Sequence, residues 1–166
     1  MEIIEAIRSK RAVRSFTDQV VPDEVIHQIL DAGRRAQSSR NSQPWTFIVV
    51  RDRDRLHRLS ACGAYAQPLS GACFGVVLVS SVEWAFDLGQ AAAYLQLAGW
   101  NFEVSSCPVW LGDSDQVRDL LGIPQDQYVE MAIAFGYAKT AQTGSAKKGG
   151  RKPFNEVVRW EKWETE

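Results

Sequence analysis

The stretch CFGVVLVS at residues 73–80 decides the fold, because it is apolar on both faces and rich in β-branched residues. These features predict a buried, central strand. Residues 82–102 follow it with apolar side chains at three- and four-residue spacing, which predicts the longest helix of the chain. A buried strand that leads into a long helix of this kind is typical of a sheet covered by helices.

Shorter elements surround this strand and helix. We expect further strands at residues 46–50, 107–111 and 128–137. We expect helices at residues 1–11, 21–36 and 51–60, and a last one that is capped by Ser114 and ends at Gly122. Residues 63–71 and 138–150 are expected to be a loop and a flexible connection. Two helices followed by strands that alternate with helices predict an α+β or α/β fold.

The composition limits the possible classes of function. The 166 residues are 45% hydrophobic and 23% charged, which is enough for one domain with its own core. A net charge of -1 disfavours nucleic-acid binding through bulk positive charge. No apolar window is long enough to span a membrane, and the acidic start does not resemble a signal peptide, so we expect a cytoplasmic protein. Three cysteines and two histidines lack the spacing of a zinc site or the context of a hydrolase triad.

Three polar segments, at residues 10–14, 38–45 and 147–153, are the candidates for a binding site. Each one alone is better explained by its structure: residues 10–14 as a solvated face, 38–45 as a capped turn and 147–153 as a linker. Taken together, the two basic segments could converge on one phosphate, while the serine-rich segment could meet the edge of a heterocycle or a polyol. The chain has no Walker A motif and no GxGxxG after a strand, which indicates a phosphate-bearing cofactor bound in another way.

Five short motifs follow one another along nearly the whole chain. They are IRSKRAVRSF at residues 7–16, NSQPW at 41–45, DLGQAA at 87–92, Cys107 with LLGIP at 120–124, and GY at 136–137 with RKPFNEVV at 151–158. In this order they resemble the motifs of the nitroreductase family of flavin enzymes. The resemblance implies one α+β domain over residues 1–166, with a mixed, largely antiparallel central sheet flanked by helices. It also implies a homodimer with FMN at the subunit interface.

The resemblance also assigns roles to residues near both ends of the chain. Lys10 and Arg151 would bind the FMN phosphate, with Arg11 beside them. Ala12 would lie against the flavin at a position where the family motif has a serine. Arg14 would approach the pyrimidine edge of the isoalloxazine, where positive charge stabilises the anionic reduced flavin.

The remaining site residues would come from the other subunit, whose Ser38, Ser39 and Asn41 would complete the FMN site. The tail, residues 151–166, would wrap around the partner and bury its two tryptophans. The implied activity is electron transfer from NAD(P)H to nitroaromatics, quinones or flavins in a ping-pong cycle. Because the flavin carries the chemistry, no protein residue is predicted to be catalytic and no metal is needed. The alternatives are a flavin-binding module without efficient turnover and a purely structural dimer.

Overall fold

The computed structural model describes residues 2–83, 85–140 and 150–163. Residues 141–149 of the predicted connection, Trp84 of the predicted helix 82–102 and the last three residues of the tail lie outside the described residues. The α-helices of the described part are α1 (Ile3–Ser9), α2 (Asp23–Arg34), α3 (Arg53–Ser60), α4 (Ala85–Asn101), α5 (Ser114–Leu121) and α6 (Phe154–Val157). The strands are β1 (Trp45–Val50), β2 (Phe74–Ser80), β3 (Ser105–Trp110) and β4 (Tyr128–Gly136).

The four strands form one sheet with the order β1-β2-β4-β3, in which every neighbouring pair is antiparallel. β2 is a central strand whose residues are all buried, as its sequence predicts. A single parallel bridge joins Ala12 to Ser106 beside the strands. The predicted α+β fold, with a largely antiparallel sheet flanked by helices, is confirmed.

Two apolar clusters, one on each face of the sheet, form the core. α2 and α4 cover the face that carries Phe74 and Phe135, whose rings stack with centroids 4.8 Å apart. α3 and α5 cover the opposite face. Gly33 allows α2 to approach α4 closely, because a Cβ at this position would lie 2.5 Å from the side chain of Leu95.

A β-bulge in β4 reverses the alternation of side chains near the start of this strand. Leu78 of β2 pairs with Met131 and the next residue, Val79, pairs with Val129, so Glu130 has no partner in β2. Val129 packs in the cluster under α3 and α5, whereas Met131 packs against the cluster under α2 and α4. Without the extra residue, the side chains of residues 129 and 131 would lie on the same face.

Two local predictions need correction. The predicted cap Ser114 is the first residue of α5, and the carboxylate of Asp113 caps the helix by accepting a hydrogen bond from the Gln116 N–H at 3.0 Å. Aspartate and serine are both good caps, and the chain turns one residue earlier than we expect. The predicted loop at residues 63–71 contains a 3-10 helix, Gln67–Gly71, at whose start a proline favours a turn.

Other local features agree with the sequence. Gly122 ends α5 in the left-handed conformation, with φ of 68°. The three cysteines carry free thiols, and two of them are buried. None of the helices in the described part of the chain is long and apolar enough to cross a membrane.

Candidate functional site

Lys10 and Arg14 lie near the thiol of Cys107, and Arg151 lies near Lys10. We call these three cations and the adjacent Arg11 the cationic corner. The charges of Lys10 and Arg14 both act on Cys107, and the charge of Arg151 acts on Lys10. Arg151 thus lies near Lys10 from the other end of the sequence, and the binding of one phosphate by both basic segments stays a prediction.

The chain after α1 is held against the sheet by its own apolar residues. Val13 is buried, and its N–H donates a hydrogen bond to the carbonyl oxygen of Ser106 at 3.0 Å. Phe16 is buried as well. Arg11 and Arg14 remain exposed to solvent in the same segment. The short extended run thus anchors two exposed cations beside the sheet.

Lys10 is held by a hydrogen bond, and its pKa is shifted by its surroundings. Its ammonium group donates a hydrogen bond to Oε1 of Gln96 in α4. Burial lowers the pKa of Lys10 below its ordinary value of 10.5, Cys107 acts in the opposite direction, and Arg151 lowers the pKa further. Burial also raises the pKa of the Cys107 thiol, against the effect of Arg14 and Lys10. A neutral thiol therefore leaves the positive charge of the corner uncompensated near neutral pH.

No acidic side chain in the described residues pairs with the cationic corner. The ion pairs in the described part of the chain are formed by other arginines, namely Arg34, Arg35, Arg51, Arg53 and Arg118. Arg11 uses its guanidinium group to donate to the carbonyl oxygens of Arg8 and Lys10, at 2.7 and 2.9 Å. Several cations that share a small volume without a counter-charge form a site for an anion with more than one oxygen, such as a phosphate.

The serine-rich segment forms a strained loop, residues 38–43, which we call the serine loop. Arg40, Asn41 and Gln43 all have positive φ, between 48° and 56°, although none of them is glycine. The N–H of Gln43 donates to Oγ of Ser38 at 2.9 Å, which closes the loop on itself. Backbone strain of this kind is often found at functional sites.

The buried carboxylate of Asp87 in α4 positions the serine loop. It accepts a hydrogen bond from the N–H of Ser39 at 3.0 Å and is only 5% exposed. The loop and the start of α4 border an open cleft of about 800 Å³. Its lining includes Ser38, Ser39, Arg40, Phe86, Asp87 and Gln90.

The structure does not bring the serine loop and the cationic corner together within one chain. Gln96 contacts the corner and Asp87 contacts the loop, and these two residues are about two and a half helical turns apart on α4. Their side chains therefore point to opposite sides of the helix, about 13 Å apart along its axis. Ser38, Ser39 and Asn41 could complete the corner only if they came from another subunit, and their role in binding stays a prediction.

One side of α4 leads from the corner to an apolar pocket. Gly89, Ala92, Gln96 and Trp100 follow one another at three- and four-residue spacing, so they lie along the same side of the helix. Trp100 donates a hydrogen bond from Nε1 to Oγ of Ser9, and Gln96 holds Lys10. Gly89 and Ala92 border a pocket of about 420 Å³ between α4 and the sheet. A Cβ added to Gly89 would meet no atom within 4 Å, so this side of α4 is open at Gly89.

Ala12 and Trp110 are two further residues beside or within β3. Ala12 is exposed beside the start of β3 and has no hydroxyl group to offer a ligand. Trp110 is 49% exposed at the end of β3, where it pairs with Met131 of β4.

Sequence reasoning missed the roles of three residues. Asp87 and Cys107 stand within the quoted motifs, yet nothing in the sequence connects them with the serine loop or with the cations. The available signal for Asp87 was an isolated carboxylate in an otherwise apolar helical stretch. Gln96 gave no signal, because its contact with Lys10 depends on how α1 packs against α4.

A sequence model described as the nitroreductase family matches residues 7–81 and 78–137, which is most of the chain. The chain belongs to the nitroreductase family. A relative from Archaeoglobus fulgidus, named as an NADH dehydrogenase/NAD(P)H nitroreductase, is 33% identical over 152 residues, which cover 83% of this chain and 86% of the relative. The family prediction made from the motifs is therefore confirmed.

Solved structures of nitroreductases share the fold. An FMN-dependent nitroreductase from Clostridium difficile superposes with a TM-score of 0.86 at 25% identity, over 96% of this chain and 99% of that one. A nitroreductase from Desulfovibrio desulfuricans, crystallised in complex with FMN, superposes with a TM-score of 0.82 at 28% identity, over 99% of both chains. The cationic corner and the serine loop are thus features of a nitroreductase fold.

Proposed function

We propose that this member of the nitroreductase family is an FMN-dependent oxidoreductase that takes electrons from NAD(P)H and works as a homodimer. Its acceptors are small molecules such as nitroaromatics, quinones or flavins. The observation that carries this proposal is the uncompensated cationic corner, which joins Lys10 and Arg151 from opposite ends of the chain. The FMN-bound nitroreductase with the same fold supports the choice of cofactor.

The residues present fit FMN. The cationic corner supplies positive charge for the phosphate, and Gln96 keeps Lys10 oriented toward it. When bound, FMN supplies the redox chemistry, accepting a hydride and passing electrons on.

The residues of the chain bind and orient the cofactor. Lys10 and Arg151 neutralise the phosphate, with Arg11 beside them. Arg14, exposed next to Cys107, holds positive charge near the pyrimidine edge and favours the reduced, anionic ring. Ala12 offers no hydroxyl group, so hydrogen bonds to the ring come from other groups.

The partner subunit supplies the serine loop. Because Asp87 and Gln96 point to opposite sides of α4, Ser38, Ser39 and Asn41 of one chain reach the cationic corner of the other. Two identical sites then form in a symmetric dimer. The strained backbone of the loop is held by Asp87 before the cofactor binds, which reduces the entropy lost on binding.

An exposed apolar surface supports the dimer. Ile3, Ile4 and Ile7 of α1 are exposed, and α1 packs beside α4, which exposes Phe86 and Tyr94. A surface of this kind is costly in water unless another subunit covers it. The tail adds further apolar residues, with Trp160 at 77% and Trp163 at 82% exposure. We infer that the chain is one domain whose tail packs on the partner, in a protein that works in the cytoplasm.

The test is a visible absorption spectrum of the purified protein, recorded anaerobically before and after addition of NADH or NADPH. A flavin spectrum that bleaches agrees with the proposed oxidoreductase. A flavin spectrum that bleaches with neither donor favours the alternative, a binding module, for which Ala12 and the bulky Trp110 are the structural arguments. A protein that stays colourless with added FMN contradicts the cofactor.

A further inference from the structure

The apolar pocket between α4 and the sheet is separate from the groups that bind a phosphate. Its walls include Leu78 of β2, Leu88 and Ala92 of α4, and Met131 of β4. With a volume of about 420 Å³ it lies within the range of pockets that bind small molecules. Apolar walls of this size suit one aromatic ring system.

The β-bulge of β4 contributes residues to the wall of this pocket. The extra residue turns Met131 toward α4, and Glu130 and Tyr128 also line the pocket. Bulges frequently re-aim side chains next to functional sites. The half-exposed Trp110, which pairs with Met131, extends the aromatic surface on the neighbouring strand.

The charged residues that line the pocket are acidic. Glu83, before α4, and Glu130 are both exposed. Neither carboxylate forms an ion pair within the described part of the chain. The phenol ring of Tyr128 is partly exposed beside them. An apolar pocket bordered by two unpaired carboxylates attracts cations and repels anions, and aromatic faces add to the attraction for a cation.

We propose that this pocket binds the electron acceptor, and that it prefers aromatic compounds that are cationic or uncharged over anionic ones. The binding preference is a property of the pocket itself, whereas the role of the ligand as acceptor rests on the proposed function. Gly89 and Ala92 of the pocket lie on the same side of α4 as Gln96, which contacts Lys10 of the cationic corner, so a ligand in the pocket would lie beyond the phosphate-binding groups. For a nitroaromatic, the first reduction is ArNO2 + NAD(P)H + H+ → ArNO + NAD(P)+ + H2O.

The test compares three nitrobenzenes that differ mainly in charge: 4-nitrobenzyltrimethylammonium, 4-nitrobenzamide and 4-nitrobenzoate. Their dissociation constants are measured by isothermal titration calorimetry on the protein as purified. We expect the cation to bind about tenfold more tightly than the anion at low salt, with the amide between them, because two exposed carboxylates each contribute modestly. Added salt should reduce this ratio, because it screens exposed charges.

Variants test the charge of the two carboxylates separately from the space in the pocket. In the double variant Glu83→Gln/Glu130→Gln, the cation and the anion should bind with nearly equal dissociation constants. The dissociation constant of 4-nitrobenzamide should not change. Glu103→Gln removes one exposed carboxylate elsewhere and should leave all three constants unchanged. Gly89→Leu should weaken all three compounds, because it places a side chain in the open space beside the pocket without a backbone clash.

The outcomes distinguish this proposal from the proposed function. Binding that does not depend on ligand charge, or that survives Gly89→Leu, overturns the proposal. Charge-dependent binding by a protein that holds no FMN and reduces nothing supports the pocket and contradicts the oxidoreductase. In an active enzyme, kcat/KM should follow the same order as the three dissociation constants, and the reverse order contradicts the role of the pocket as the acceptor site.

Discussion

Asp87 and Gln96 lie on opposite sides of α4, and each holds a different part of the candidate FMN site. Asp87 fixes the serine loop through the N–H of Ser39, and Gln96 fixes Lys10 of the cationic corner. One helix thus presents two halves of a site that cannot meet within a single chain.

Replacing a cation of the corner should weaken FMN binding. We expect Arg151→Ala or Lys10→Ala to raise the dissociation constant of FMN by about 10- to 100-fold, since a charge-assisted hydrogen bond to phosphate is lost. The measurement is a fluorescence titration of the FMN-free protein. Lys152→Ala, next in the sequence, is the matched control, and an equal loss in this variant would show that only general charge matters.

The affinity for FMN should fall at alkaline pH because of Lys10. Burial lowers the pKa of Lys10 below 10.5 in the protein without FMN, and Cys107 and Arg151 act on it in opposite directions. Phosphate prefers the charged ammonium group, so the affinity falls as the pH rises from the lowered pKa to the higher pKa in the complex. In Lys10→Arg the side chain keeps its positive charge over this pH range, so the decrease in FMN affinity should disappear. The same pH profile in both proteins would contradict the assignment.

The lowered pKa of Lys10 also affects stability: FMN affinity falls with rising pH, whereas the free energy of unfolding rises. In the protein without FMN, the unfolded chain binds a proton at Lys10 more strongly than the folded chain does. The free energy of unfolding should therefore increase as the pH rises from the lowered pKa toward 10.5, as far as this residue is concerned. Urea unfolding of the wild type and Lys10→Met across this window isolates the contribution, because methionine does not titrate.

Loss of the Asp87 carboxylate should loosen the serine loop. Asp87→Ala leaves the N–H of Ser39 without its partner and should lower the free energy of unfolding by about 1–3 kcal/mol. We expect FMN affinity to decrease as well, although the cationic corner is intact. Asp87→Asn keeps an acceptor oxygen and should recover much of both losses. Equal defects in the two variants would show that the carboxylate acts through its charge alone.

Removing the tail should destabilise the dimer. Deletion of residues 155–166 removes Val157, Trp160 and Trp163, whose side chains are exposed in the single chain. We expect a lower melting temperature and monomer or aggregate in light scattering, because these residues contribute apolar contacts with the partner. A dimer of unchanged stability would contradict the packing of the tail on the partner.

Much of the fold could be predicted from local patterns. The apolar run of β2 and the spacing of α4 identify a buried strand and its covering helix. The motifs point to residues in both halves of the candidate site, whose role in binding stays a prediction. The bulge at Glu130 could not be predicted, because it depends on the register between two strands that are distant in sequence. The same holds for the contact of Lys10 with Gln96. Asp113 rather than Ser114 caps α5 because the helix begins one residue earlier than expected, and sequence propensities do not define a helix boundary to one residue.

The central claim, that two chains build each FMN site, is tested most directly by the FMN content of a mixed dimer. One chain carries Arg151→Ala and the other carries Ser39→Ala/Asn41→Ala, and the heterodimer is purified through two different affinity tags. Neither variant alone should retain FMN. In the heterodimer one site combines both defects and the other is intact, so we predict one FMN per dimer by flavin absorbance. A heterodimer without FMN would contradict a site shared between chains.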